Sequence, residues 1–154
     1  KSVLCPDLKD EVTLLNNIAK KSIAGIITTN YDLLLEELVD FIPLIGNEIL
    51  LSNPYGTIYK IHGCINNPNS IILTKDDYIQ FNQRYDLIRA QLISLFVHNP
   101  IIFLGYSVQD ENIQSILNTI FKYVPPNSEQ AKRIKRNFLF FCTKNTPMTS
   151  KLKS

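Results

Sequence analysis

Three short stretches hold the side chains best suited to chemistry: Thr28-Thr29-Asn30-Tyr31-Asp32, His62-Gly63 and Gly105-Tyr106-Ser107. A histidine exchanges protons near neutral pH. An asparagine orients a water or a hydroxyl without bringing a charge of its own. A glycine–serine turn ahead of a helix offers backbone N–H groups to a phosphate. The set suits a nucleotide with a reactive sugar. Each member also has a plainer reading. Thr29 or Asn30 can cap the helix that follows, His62 can be a satisfied histidine at a strand end, and Gly105 can serve the turn alone.

The elements that carry these stretches lift them above the plain readings. Ile23–Ile27, Thr57–Ile61 and Pro100–Leu104 are short runs with strand character, and each breaks directly into one of the three polar stretches. Helical patterns lie between them. Val12, Leu14, Leu15 and Ile18 form a stripe in a helix from about Asp10 to Lys20, and a helix is expected over Tyr31–Val39 with Asp32 in its first turn. A minor strand is expected at Glu48–Leu51 and a brief one at Ile71–Leu73.

Thr74-Lys75-Asp76-Asp77 resembles a capping box that starts a further helix, with Asp in place of the usual Glu. Tyr85–Val97 places Leu87, Ile88, Leu92, Ile93 and Phe96 inward, and Glu111–Tyr123 does the same with Ile113, Ile116, Leu117 and Ile120. A basic helix and a last strand, Asn137–Cys142, complete the pattern, with a polar tail over 144–154. Strands alternating with helices predict an α/β fold: one three-layer parallel sheet with helices on both faces. Ligands bind such sheets outside the carboxyl ends of the strands, and all three polar stretches should arrive at that edge.

Composition narrows the function classes. The 154 residues suffice for one domain with a real core, and 45% hydrophobic with 19% charged residues is a globular balance. A net charge of +2 gives no reason to expect a nucleic acid or an anionic membrane as partner. Lys132, Arg133, Lys135 and Arg136 read as a solvated helix face. Cys5, Cys64 and Cys142 are scattered without metal-ligand or redox spacing, which predicts a reducing, cytoplasmic setting. No apolar run approaches the roughly 18 residues of a membrane span.

With these motifs in order, the chain resembles the sirtuin-like domains of bacterial antiviral defence proteins, distant relatives of the sirtuin deacetylases. Thr28 to Asp32, then Lys60-Ile61-His62-Gly63, then Phe103-Leu104-Gly105-Tyr106-Ser107 with Asp110 and Asn112 carry the resemblance, which covers about Ile23 to Asn112. It implies a Rossmann-like fold and NAD as substrate. By position, His62 matches the general base that acts through a ribose hydroxyl. Asn30 matches the asparagine at the nicotinamide ribose and reacting centre. These two are the implied catalytic residues. Thr29, Asn30, Asp32, Gly63, Gly105, Ser107, Asp110 and Asn112 are the implied NAD-binding set, Gly105 and Ser107 on the adenosine side. Asp110 has helix capping as its equal alternative.

The departures from the deacetylases are informative. Thr29 stands where they usually carry glutamine, and Tyr106 where they usually carry threonine. Their four-cysteine zinc ribbon falls between the histidine and the glycine–serine turn, an interval that here holds only Cys64, so no zinc and no ribbon domain are expected. Water then becomes the expected acceptor, and the implied reaction is NAD hydrolysis to nicotinamide and ADP-ribose or a cyclised product. The family's glycine-rich phosphate loop has no counterpart among the five glycines, and the chain is read as a single domain truncated at its start, with a degenerate copy that does not bind NAD tightly as the alternative. Further domains or a homo-oligomer are expected of the longer protein. Two alternatives stand beside hydrolysis: deacylation or ADP-ribosyl transfer to a protein, and a non-catalytic module that binds NAD or ADP-ribose.

Overall fold

A computed structural model describes residues 9–53, 55–84, 86–104 and 110–141, the side chains of 80–84 and 141 aside. The chain divides into two compact units, one ending at Ile88 and one beginning at Arg89.

The first unit opens with helix α1, Lys9–Ser22, which carries acids in its first turn and Lys20 and Lys21 in its last, as the helix dipole favours. Strand β1 (Gly25–Thr28), the five-residue helix α2 (Leu34–Leu38), strand β2 (Ile42–Ile45), a 3-10 helix (Gly46–Leu51) and strand β3 (Thr57–Lys60) follow. The three strands form one parallel sheet in the order β1-β3-β2, with β3 central. Ala19, Val39, Phe41 and Ile58 make its core, with Ile23, Ile26, Leu35 and Leu38 packed against them. Helix α3, Lys75–Arg84, closes this unit's regular structure before α4, Asp86–His98, which spans the division between the units.

Several local expectations are corrected here. The stripe on α1 is not the buried one: Leu14, Leu15 and Ile18 are exposed, while Ala19 is buried and Val12 and Asn16 half-buried. The inward face is therefore Val12–Asn16–Ala19, whose small residue lets the helix lie close to the sheet. Asn16 Oδ1 also accepts the Asp40 N–H at 3.3 Å. Helix α2 starts three residues later than expected, because the Asp32 carboxylate accepts the Leu34 N–H at 3.0 Å and holds Asp32 in a turn outside the helix. Glu48–Leu51 is part of the 3-10 helix, where Glu48 reaches back to accept the Ile45 N–H at 3.0 Å. Pro43 sits in β2, at the sheet edge, where a missing N–H is tolerated. Ile71–Leu73 joins no ladder, since Ile72 gives its N–H to the His62 carbonyl at 3.0 Å.

In the second unit, β4 (Ile101–Leu104) pairs in parallel with β5 (Phe138–Phe141). Between them lie α5, Glu111–Tyr123, and α6, Glu129–Arg136. Phe96, Phe103, Phe121, Phe138 and Phe140 form an aromatic cluster, with Phe103 stacked on Phe140 at 4.6 Å between centroids. Ser128 caps α6 by accepting the Ala131 N–H at 3.1 Å. Along α5, Ile113, Ile116, Leu117 and Ile120 are buried as their spacing predicts. Leu87 of α4 is instead exposed, and the buried positions Ile88, Leu92 and Phe96 follow one helical face that leaves Leu87 on its flank.

The parallel α/β class stands, with helices flanking the sheet. The described strands form two sheets, one in each unit, where the strand pattern predicts one. No helix among the described residues is long and apolar enough to cross a membrane.

Candidate active site

The register of β1 against β3 sets the geometry. Thr28 lies beside Lys60 in the ladder, and the Ile61 N–H donates to the Thr28 carbonyl at 3.2 Å. Asn30 and His62 each follow two residues after these partners, so the two parallel strands end at one level and release both residues at the same edge. This is where the α/β architecture predicts a ligand crevice. Asn30 is exposed there, its N–H donating to Thr28 Oγ1 at 3.1 Å, and Thr29 beside it is half-buried.

His62 is only 3% exposed. Its ring meets Tyr78 of α3 edge-to-face, with centroids 5.4 Å apart and planes at 79°. A buried imidazole held by a ring contact has a fixed orientation, which a proton-transferring group requires.

Gly63 turns the chain away from the site at φ +95°, and a Cβ there would fall 2.3 Å from the Ser70 carbonyl oxygen. Glycine is thus required by a close backbone approach. Ser70 Oγ accepts the Cys64 N–H at 3.1 Å and donates to the Asn67 carbonyl at 2.6 Å, which secures the turn after Gly63.

The loop that presents Asn30 is stitched to the loop that follows His62. Tyr31 donates its hydroxyl to the Ile72 carbonyl at 2.8 Å, and its own carbonyl accepts the Ile65 N–H at 2.9 Å. Beneath the loop lies Lys60. Its ammonium donates to the Asp32 carbonyl and pairs with Glu36 of α2 at 2.8 Å. Thr57–Ile61 alternates apolar and polar residues, yet all four residues of β3 are buried, Lys60 among them. A central parallel strand is covered on both faces, so its polar residues need partners inside the protein. A lysine in such a strand with a glutamate in the helix that follows β1 was the signal available. Tyr31, Glu36 and Tyr78 were likewise not singled out by the sequence pattern.

The remaining candidates fall in the second unit. Asp110 caps α5: its Oδ1 accepts the N–H groups of Asn112 at 3.0 Å and Ile113 at 3.1 Å. Asn112 is buried in the first turn of that helix. Gly105 and Ser107 lie outside the described residues. No group of three or more His, Cys, Asp or Glu side chains that could hold a metal ion occurs among the described residues.

A parallel α/β sheet flanked by helices, with an asparagine and a histidine at one edge of its strand ends, is consistent with the Rossmann-like class. Residues 24–141 match a family described as the SIR2-like domain, and the chain belongs to that family. It is 31% identical over 108 residues to the defense-associated sirtuin 2 of Bacillus subtilis, covering 64% of this chain and 11% of that protein. It is 30% identical over 121 residues to the NAD(+) hydrolase ThsA of Acinetobacter baumannii (strain 532279), covering 73% of this chain and 25% of the relative. With the NAD(+) hydrolase ThsA of Enterococcus faecium it shares 27% identity over 154 residues, 89% of this chain and 32% of the relative. The chain thus spans a third or less of the length of these relatives.

Proposed function

We propose that the protein carrying this domain is an NAD hydrolase acting in antiviral defence. The observation that carries the reading is the in-register pairing of β1 with β3, which puts Asn30 and His62 at one sheet edge. Membership of the SIR2-like family and the activity named for the ThsA relatives support NAD as the substrate. The name of the Bacillus subtilis relative supports the defence role.

In the proposed reaction the bond between the ribose C1′ and the nicotinamide nitrogen breaks. Nicotinamide leaves as a neutral molecule with the bonding electrons, and C1′ passes through an oxocarbenium-like state. Asn30 holds the attacking water or ribose hydroxyl, whose oxygen bonds to C1′ while His62 accepts its proton. Backbone carbonyl dipoles at the strand ends favour the positive charge on the sugar. Thr29, Asp32 and Gly63 belong to the nicotinamide-ribose side of the proposed site. By the resemblance alone, Gly105 and Ser107 are candidates for the adenosine side, and Asp110 and Asn112 are further NAD-binding candidates.

The test is NAD consumption by the full-length protein, with nicotinamide and ADP-ribose or its cyclised form resolved by chromatography. His62→Ala and Asn30→Ala are each expected to slow turnover by about 10²-fold or more, in line with removal of an acid–base or positioning group. Undiminished turnover in both variants would remove these residues from the mechanism.

A further inference from the structure

We infer that Lys60 is a positioning residue for the reaction, holding the Asn30–Asp32 turn at a fixed place beside His62 through its pair with Glu36. The inference rests on the hydrolase reading for its kinetic consequence. Its structural part stands independently of that reading.

The lysine is 1% exposed, and Glu36 is 17% exposed. Drawing both charges out of water is costly, and a buried pair repays the cost only when its remaining polar atoms are satisfied. Here Glu36 Oε2 is buried with no hydrogen-bond partner among the described residues. The pair is therefore poorly explained as a device for stability. An apolar side chain at this buried end of β3 would fill the space with no desolvation cost.

What an apolar residue could not supply is direction. The Lys60 ammonium joins three elements at one point: its own strand β3, the Glu36 carboxylate on α2, and the backbone carbonyl of Asp32. Asp32 in turn holds the start of α2 through the Leu34 N–H. Lys60 lies two positions before His62, and its carbonyl acceptor Asp32 lies two positions after Asn30. A cation donating to that carbonyl fixes the turn against the strand that ends in the histidine. A charged donor with several hydrogens can satisfy both acceptors at once.

The experiment uses the full-length protein with Lys60→Met, Glu36→Gln and the double variant Lys60→Met/Glu36→Gln. The double variant buries no unpaired charge and serves where Lys60→Met alone fails to fold. Two quantities are read in it: steady-state NAD kinetics, and amide hydrogen exchange over residues 29–34 with residues 57–60 as the internal control. The expected result is a kcat reduced about tenfold or more with KM changed less than about threefold. Exchange over 29–34 should rise by about tenfold or more while the β3 control keeps its protection.

Parental kcat together with parental exchange over 29–34 in the folded double variant would overturn the inference and leave the pair a packing feature. Faster exchange with parental kcat would overturn the kinetic part alone. Should the parental protein consume no NAD, the hydrolase reading fails, and the exchange measurement still decides whether Lys60 positions the turn.

Discussion

The hydroxyl of Tyr31 donates to the carbonyl of Ile72 at 2.8 Å, across 41 positions of sequence. The Ile72 N–H turns back to the His62 carbonyl at 3.0 Å, so one residue serves both loops of the candidate site. The Asn30 loop and the His62 turn are thereby cross-linked outside the sheet. Together with the ammonium of Lys60 beneath, the two loops are held from both sides.

Replacing Tyr31 by Phe removes this donor while keeping the ring. The Ile72 carbonyl loses a partly buried partner, and the expected loss is about 1 kcal/mol of stability. In a urea titration the midpoint should fall with the slope unchanged, as for a change of stability without a change of exposed surface. A midpoint equal to that of the parent would show that water replaces the hydroxyl at no cost.

Gly63→Ala should be more damaging than its single methyl suggests. The positive φ of +95° disfavours any L side chain, and the new Cβ would meet backbone atoms of Ser70 and Ile71, which cannot swing aside. Residues forced into such conformations cost of order 1–3 kcal/mol. The substitution should lower the melting temperature clearly and move the His62 turn. A melting temperature within a degree or so of the parent, on the scale where ~1 kcal/mol shifts it by several degrees, would show that the turn can open.

The parts that could be read from the sequence are those that local chemistry decides. Helix α5 was bounded to the residue, Glu111–Tyr123, because its apolar spacing and its cap are both written within one segment. The capping box at Thr74 and Asp77 was legible for the same reason, and both halves form, with Thr74 Oγ1 accepting the Asp77 N–H at 3.2 Å and Asp77 Oδ2 accepting the Thr74 N–H at 2.8 Å. Asn30 and His62 were legible as strand-end residues, since a strand and the turn after it are adjacent in sequence. Lys60 was not singled out, because a strand's place at the centre of a sheet, and with it the burial of its polar residues, is a tertiary fact. The tie between Tyr31 and Ile72 has no local signature at all. Helix α2 was read too long because the Asp32 side chain competes for the helix's first N–H groups, a choice that periodicity does not register.

For Asp110 the cap makes a separable prediction. Asp110→Ala leaves the N–H groups of Asn112 and Ile113 without their acceptor and should cost about 1 kcal/mol, whereas Asp110→Asn should stay close to the parent because asparagine caps equally well. Thermal melts of the two variants read this directly. Equal stability of Asp110→Ala and the parent would remove the cap as the reason for this residue and leave ligand contact to explain it.

Asp77 predicts a pH dependence whose sign follows from its hydrogen bonds. The Thr74 backbone N–H, then the Leu73 backbone N–H, then the Thr74 hydroxyl all favour the charged carboxylate and hold its pKa below the usual aspartate value, against a small opposing effect of burial. A group whose pKa is lower in the folded state binds its proton more readily when unfolded. Its stabilising contribution is therefore complete above the unfolded value, near pH 4 for an ordinary aspartate, and is lost as the pH falls through the lower folded value. Carbon-detected NMR of the side-chain carboxyl should place the Asp77 midpoint below the ordinary aspartate value, near pH 4. Asp77→Asn should flatten the acid limb of the stability profile in that window and leave the profile above it parallel to the parent. A midpoint at or above the ordinary aspartate range would mean that the box at the start of α3 does not hold the ionised carboxylate in solution.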